Sequence, residues 1–160
     1  MSKGRLAQEI HVVNAAAAIT SCADLFNGDP ATDIINLAKY DRCTFVLAKA
    51  SGNTGTAVIT VEACDDTSGT HTQAIPFKYW VCTSGDTFGS EQSATASGFT
   101  TTAGAGQVYL IEVNSSELYG TYKYVRLKMT EATDDPVHGY VVALLSGARY
   151  EQEVPPTAIT

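Results

Sequence analysis

A chain of 160 residues with a net charge of −7, 44% hydrophobic and only 17% charged, is long enough for one domain with a substantial core. It repels polyanions on average, which disfavours nucleic acid and anionic membrane surfaces as partners, and no apolar run approaches the roughly 18 residues of a membrane span. Ser, Thr, Ala and Gly replace the missing charge, a composition that suits exposed strands and turns better than solvent-facing helices.

Residues 1–8 are polar and mixed, and are expected to form an N-terminal arm. Lys3 and Arg5 precede "LAQEIHVVN" rather than a continuous apolar core, so no secretory signal is expected. "NAAAAITSCADLF" (14–26) has the alanines of a helix, but Ile and Thr dilute it and no N-cap with an acidic first turn precedes it. One short helix is expected there or at "SSELY" (115–119).

From residue 33 onward, period-two alternation broken by Gly, Asn, Asp and Ser is the dominant signal. "DIINL" (33–37) reads as a strand, and "CTFVLAKA" (43–50) as another that ends at the turn "SGNTG". "TAVITVEAC" (56–64) puts Ala57, Ile59, Val61 and Ala63 on one face. "IPFKYWVC" (75–82) reads as one strand with Pro76 at its start or on an edge. "GFTTT" (98–102) is a short candidate, and "QVYLIEV" (107–113), "YKYVRLKMT" (122–130) and "GYVVALLSG" (139–147) complete the series. In "YKYVRLKM" the inward set is Val125, Leu127 and Met129, and the outward set Tyr122, Tyr124, Arg126 and Lys128. Strands spaced by turns, without intervening helices, predict an all-β antiparallel sandwich over residues 9–147. The tail 148–160 contains Pro155 and Pro156, which forbid a central strand, and is expected to form a C-terminal arm.

"VEACDDTSGTHTQAI" (61–75) packs Cys64, Asp65, Asp66 and His71 closely enough to raise the question of a metal or catalytic site. A zinc site lacks the second half of its ligand set, and a calcium loop lacks the closing bidentate Glu. "DDTSGTH" therefore reads as a hairpin loop, with weak cation binding as the alternative, and Asp66 and His71 are expected to be dispensable for stability. There is no G-x-S-x-G elbow, and "TTAGAGQVYL" leads into a strand rather than opening a helix, so no enzyme chemistry, metal or cofactor is expected. The four cysteines, at 22, 43, 64 and 82, form no C-x-x-C and read as reduced packing residues, with a disulfide as the alternative. Trp80 shares a face with Lys78 and Cys82 and is expected in the core, with a sugar platform as the other reading. In the arms, Arg5, Arg149 and Tyr150 are the expected protein-contact residues, because Arg and Tyr are enriched where interfaces are energetically decisive.

Two stretches, "INLAKYDRCTFVLAKASGNTGTAVITVEACDDTSGTHTQAIPFKYW" (35–80) and the strand series over 107–150, together resemble small β-sandwich virion proteins encoded with the head genes of tailed bacteriophages, most of all the capsid decoration (cement) proteins. The resemblance implies a jelly-roll-like sandwich that docks on an assembled capsid, often as a homotrimer, and bridges capsomers. It carries over no catalytic residue. The implied partners are the major capsid protein and further copies of the chain, and the implied location is the outer surface of a virion made in the host cytoplasm. A carbohydrate-binding or host-adhesion module is the alternative, and would need an aromatic platform built from Trp80 with Tyr79 or Tyr124.

Overall fold

Alternating apolar residues bury one face of each strand, and the strands assemble into two antiparallel sheets packed face to face. The computed structural model describes residues 5–19, 22–149 and 157–159. A single helical turn, α1 (Leu6–Glu9), precedes β1 (His11–Val13), β2 (Ile35–Asn36), β3 (Tyr40–Lys49) and β4 (Thr56–Cys64). Then come β5 (Thr72–Ile75), β6 (Phe77–Ser84), β7 (Thr87–Phe88), β8 (Gln92–Ala94) and β9 (Phe99–Thr100). The long strands β10 (Gln107–Asn114), β11 (Tyr124–Thr133) and β12 (Gly139–Ala148) follow. Among the described residues the larger sheet runs β1-β12-β3-β10-β6-β7, with β8 also on β6, and the smaller runs β2-β11-β4-β5, with β9 on β4.

The chain changes sheet at the β1–β2, β2–β3, β3–β4, β5–β6, β8–β9, β9–β10, β10–β11 and β11–β12 connections, an alternation that jelly rolls share. Phe45, Leu47 and Ile111 of the larger sheet and Ile59, Val61, Val125, Leu127 and Met129 of the smaller sheet are all fully buried. Each such side chain contributes about 1.5–3 kcal/mol relative to exposure. The expected inward set of β11 is therefore observed, and its alternation sets the register against β4, with Leu127 opposite Val61 and Met129 opposite Ile59.

Three local features differ from the expectation. The alanine run forms only a 3₁₀ turn, Ala15–Ala18, and the stretch at 115–119 another, Ser115–Glu117. Ala15, Ala16 and Ile19 are buried, so packing against β12 rather than helix propensity governs this segment. The single strand expected over 75–82 is two. Pro76 lacks an N–H to donate and marks a corner, with β5 in the smaller sheet and β6 in the larger. The expected arm from 148 onward starts inside β12, where Ala148 pairs with Tyr40. Further on, residues 157–159 lie on the body: Ala158 is 1% exposed and its carbonyl accepts the Asn36 N–H at 2.8 Å.

Candidate interaction surface

The outward faces of the two sheets differ in chemistry. On the smaller sheet Arg126 stands opposite Glu62, with Nε 2.6 Å from the carboxylate, and Lys128 stands opposite Thr60. That is the polar exterior expected of an antiparallel sheet with one face in water. On the larger sheet two full rows of outward residues are apolar across four strands. One row runs Tyr140, Ala48, Val108 and the covered Cys82, and the next, half-buried throughout, Val142, Val46, Leu110 and Trp80. Val12 (59% exposed), Phe88 (40%) and Tyr140 (39%) extend the patch to its margins. Charge is confined to one end, where it is internally paired: Arg42 Nε lies 3.4 Å from Glu112, and Lys78 Nζ 3.0 Å from Glu91.

The signal for this face lay in the sequence. "VYLI" and "YVVALL" are continuous apolar runs rather than alternations, the pattern of strands covered on both sides. Alternation alone misses it, because that test looks for one apolar face per strand.

Trp80 is corrected by the structure. It is half-buried on this outer face, opposite Leu110, and not in the core, because its neighbours Tyr79 and Val81 take the inward positions of β6. Tyr79 stacks on Phe99 at 4.1 Å between ring centroids, and its hydroxyl donates to Gln92 Oε1 at 2.7 Å. Tyr124 belongs to the smaller sheet. The three aromatics named for a sugar platform thus lie on different surfaces.

The expected contact residues have distinct surroundings. Arg5 is exposed at the start of α1, where its N–H donates to Gln8 Oε1 at 2.9 Å and its carbonyl accepts the Gln8 N–H at 2.7 Å. Arg149 is also exposed, but its guanidinium is engaged within the chain: Nε lies 3.5 Å from Asp41, and a terminal nitrogen donates to Ser115 Oγ at 3.2 Å. α1 rests against β1 and β12, and β12 ends one residue before Arg149. Tyr150 lies outside the described residues.

The loop after β4 brings Asp65, Asp66 and His71 together, with one potential ligand atom from each within 4.8 Å of the others. His71 Nδ1 is 3.5 Å from each carboxylate. Asp66, however, spends its acceptors on the loop itself. Its Oδ1 accepts the N–H of Gly69 at 2.7 Å and both the N–H and hydroxyl of Ser68 at 2.9 Å, and its Oδ2 accepts the Thr70 hydroxyl at 2.7 Å. These bonds, first those from the Thr70 and Ser68 hydroxyls, hold the carboxyl well below the usual carboxylate range. Gly69 at φ +67° supplies the left-handed residue that the loop requires. The hairpin reading stands, and Asp66 organises the loop by accepting four of its hydrogen bonds.

Cysteine chemistry is muted. Cys22, Cys43, Cys64 and Cys82 are all free, the last three of them buried. Burial pushes the Cys64 thiol up to about 11 and the Cys43 thiol further in the same direction, away from a nucleophilic thiolate. At the far end of the body the carboxyl of Glu131 is held above its usual range, first by desolvation and then by Asp134, Asp24 and Asp29. Its Oε1 has no hydrogen-bond partner among the described residues. Among those residues no helix is long and apolar enough to cross a membrane. Comparison of the chain with protein-family models, with curated proteins and with solved structures finds no match in any of the three.

Proposed function

We propose that this chain is a structural virion protein that works by surface contact, binding an assembled capsid and stabilising it by bridging capsomers. The observation that supports this reading is the apolar outer face of the larger sheet, since contiguous apolar side chains left exposed or half-buried on an outer face mark a protein-contact site. The resemblance of residues 35–80 and 107–150 to capsid decoration proteins directs the reading towards a virion. A contact protein needs no reacting constellation, and reactive side chains here are committed elsewhere: Asp66 to its loop, Cys43 and Cys64 to the buried interior. Docking on a lattice of repeated sites gains by avidity, so modest individual contacts suffice.

Co-sedimentation of the full-length chain with undecorated capsids tests the proposal. Saturable binding at a fixed number of copies per particle supports it, together with greater resistance of the particle to heat or low salt. Absence of binding at saturating protein overturns it.

A further inference from the structure

We infer that the outer face of the larger sheet is occupied by the same face of a second copy, giving a two-fold pair stacked sheet on sheet. The inference rests on the reading of this face as a protein-contact site and names a second copy as the partner there, so that a paired chain meets a capsid with its remaining surfaces. Three properties favour a copy of this chain over another occupant.

The first is shape. Two copies of one sheet carry the same right-handed twist, and faces of equal twist nest at an angle of about 30° with the sheets about 10 Å apart. The second is area. Four strands about 4.8 Å apart and three outward rows about 6.8 Å apart, two of them apolar and the third the polar rim row of Thr44, Glu112 and Lys78, make a plane of roughly 20 by 20 Å, or about 400 Å² per copy. Doubled, this is about 800 Å², and Val12 and Phe88 at the margins bring it towards the roughly 1,000 Å² of a specific interface, the range of a weak pair.

The third is charge. The chain carries −7 overall, so most mutual approaches of two copies are repulsive. On this face Arg42 is matched by Glu112 and Lys78 by Glu91, which leaves it locally neutral. A two-fold axis lying across the strands between the Val108 and Leu110 rows sets each apolar row on the other. It also moves the row of Thr44, Glu112 and Lys78 to the two outer rims, where charges stay hydrated. The pair is even-numbered, and so differs from the threefold assembly that the resemblance implies.

Sedimentation equilibrium of the full-length chain, from micromolar concentration to about 0.1 mM, reads the outcome directly. Leu110→Glu places a charge at the centre of the face without touching the core, and Lys128→Glu on the smaller sheet is the control. The expected result is a dimer whose dissociation constant rises about a hundredfold or more in Leu110→Glu and stays within about threefold in Lys128→Glu. Independently of any variant, emission from Trp80, the single tryptophan, should shift to the blue as dimer forms. A wild-type monomer throughout the range overturns the inference, as does a trimer or a dimer insensitive to Leu110→Glu. The two failures separate: a monomer that still binds capsids leaves the proposed function intact, whereas a dimer that does not bind them removes that function and keeps the pairing.

Discussion

Leu110 on β10 and Trp80 on β6 stand directly opposite each other on the outward side of the larger sheet, while Tyr109 and Val81, one position back along β10 and one forward along β6, pair on the inward side. Side-chain facing is therefore a measurable property of each strand. Leu127→Ala, which empties a fully buried site, should cost about 2–5 kcal/mol. Leu110→Ala on the outer face should cost about 1 kcal/mol or less, and Arg126→Ala on the smaller sheet, which leaves the largely covered Glu62 without its ion-pair partner, about 1–2 kcal/mol. Urea unfolding of the three variants at a concentration where the wild type is monomeric decides it; equal losses would mean that the facing is misassigned.

Thr32 acts as an extra rung at the edge of the smaller sheet. Its N–H donates to the Leu127 carbonyl and its hydroxyl accepts the Leu127 N–H, both at 2.9 Å, and the residue is 3% exposed. Thr32→Val keeps the shape and strands that buried N–H, at a cost of about 1–3 kcal/mol. Faster amide exchange at Leu127 in the variant is the accompanying signature, and its absence would show that another acceptor serves.

Two carboxyls should pull the acid stability in opposite directions. Asp66 has a folded-state pKa below its unfolded value, so its contribution is complete above about pH 4 and is lost as pH falls further. Glu131 has a raised folded-state pKa, so the protein loses stability as pH rises from about 4.5 through that value. Asp66→Asn should lower the melting temperature at pH 7 and flatten the acid limb, and Glu131→Gln should raise the melting temperature at pH 7. His71→Ala should leave it unchanged. A Glu131→Gln protein that melts below wild type at pH 7 would count against the negative cluster as a source of repulsion.

The C-terminal segment is a clasp on β2. Removing residues 157–160 exposes the site of Ala158 and frees the Asn36 N–H, at a cost of about 1–2 kcal/mol. Removal of residues 1–5, which precede α1, should leave the melting temperature within error. A tail deletion that melts like the full chain would mean that this docking contributes nothing.

Gly98, at φ +75°, passes so close to β4 that an added Cβ would lie 2.0 Å from the Ile59 carbonyl oxygen. Gly98→Ala therefore combines left-handed strain with a backbone clash, and should be among the most destabilising single methyl additions in the chain. Gly104→Ala, at φ +68° with open space around it, should carry the strain alone. Comparable melting temperatures for the two would argue against the close approach.

Most of the sandwich was legible because alternation states which residues point inward: Ile59, Val61, Val125 and Leu127 could be named from spacing alone. The corner at Pro76 was not, since a proline at a strand edge and one between two sheets look alike without knowledge of the partners. Thr32 was invisible for a related reason, because its role depends on a residue 95 positions away. Asp66 was recognisable as turn chemistry but not as an acceptor of four loop hydrogen bonds. The apolar outer face was present in the runs "VYLI" and "YVVALL", and reading it required treating a continuous run as evidence for a second covered face.

The order of strands in the larger sheet has a kinetic consequence. β3, at its centre, pairs with β10 and β12, so Phe45 waits for Ile111 and Ala143, which are synthesised long after it. No early fragment of the chain can complete that sheet, and closing such long loops before any contact rewards them makes folding slow, on the order of milliseconds to seconds. Until β12 arrives, the nascent chain presents the apolar edges and both faces of β3 to its surroundings. Growing chains are therefore most exposed to aggregation before β12 has left the ribosome.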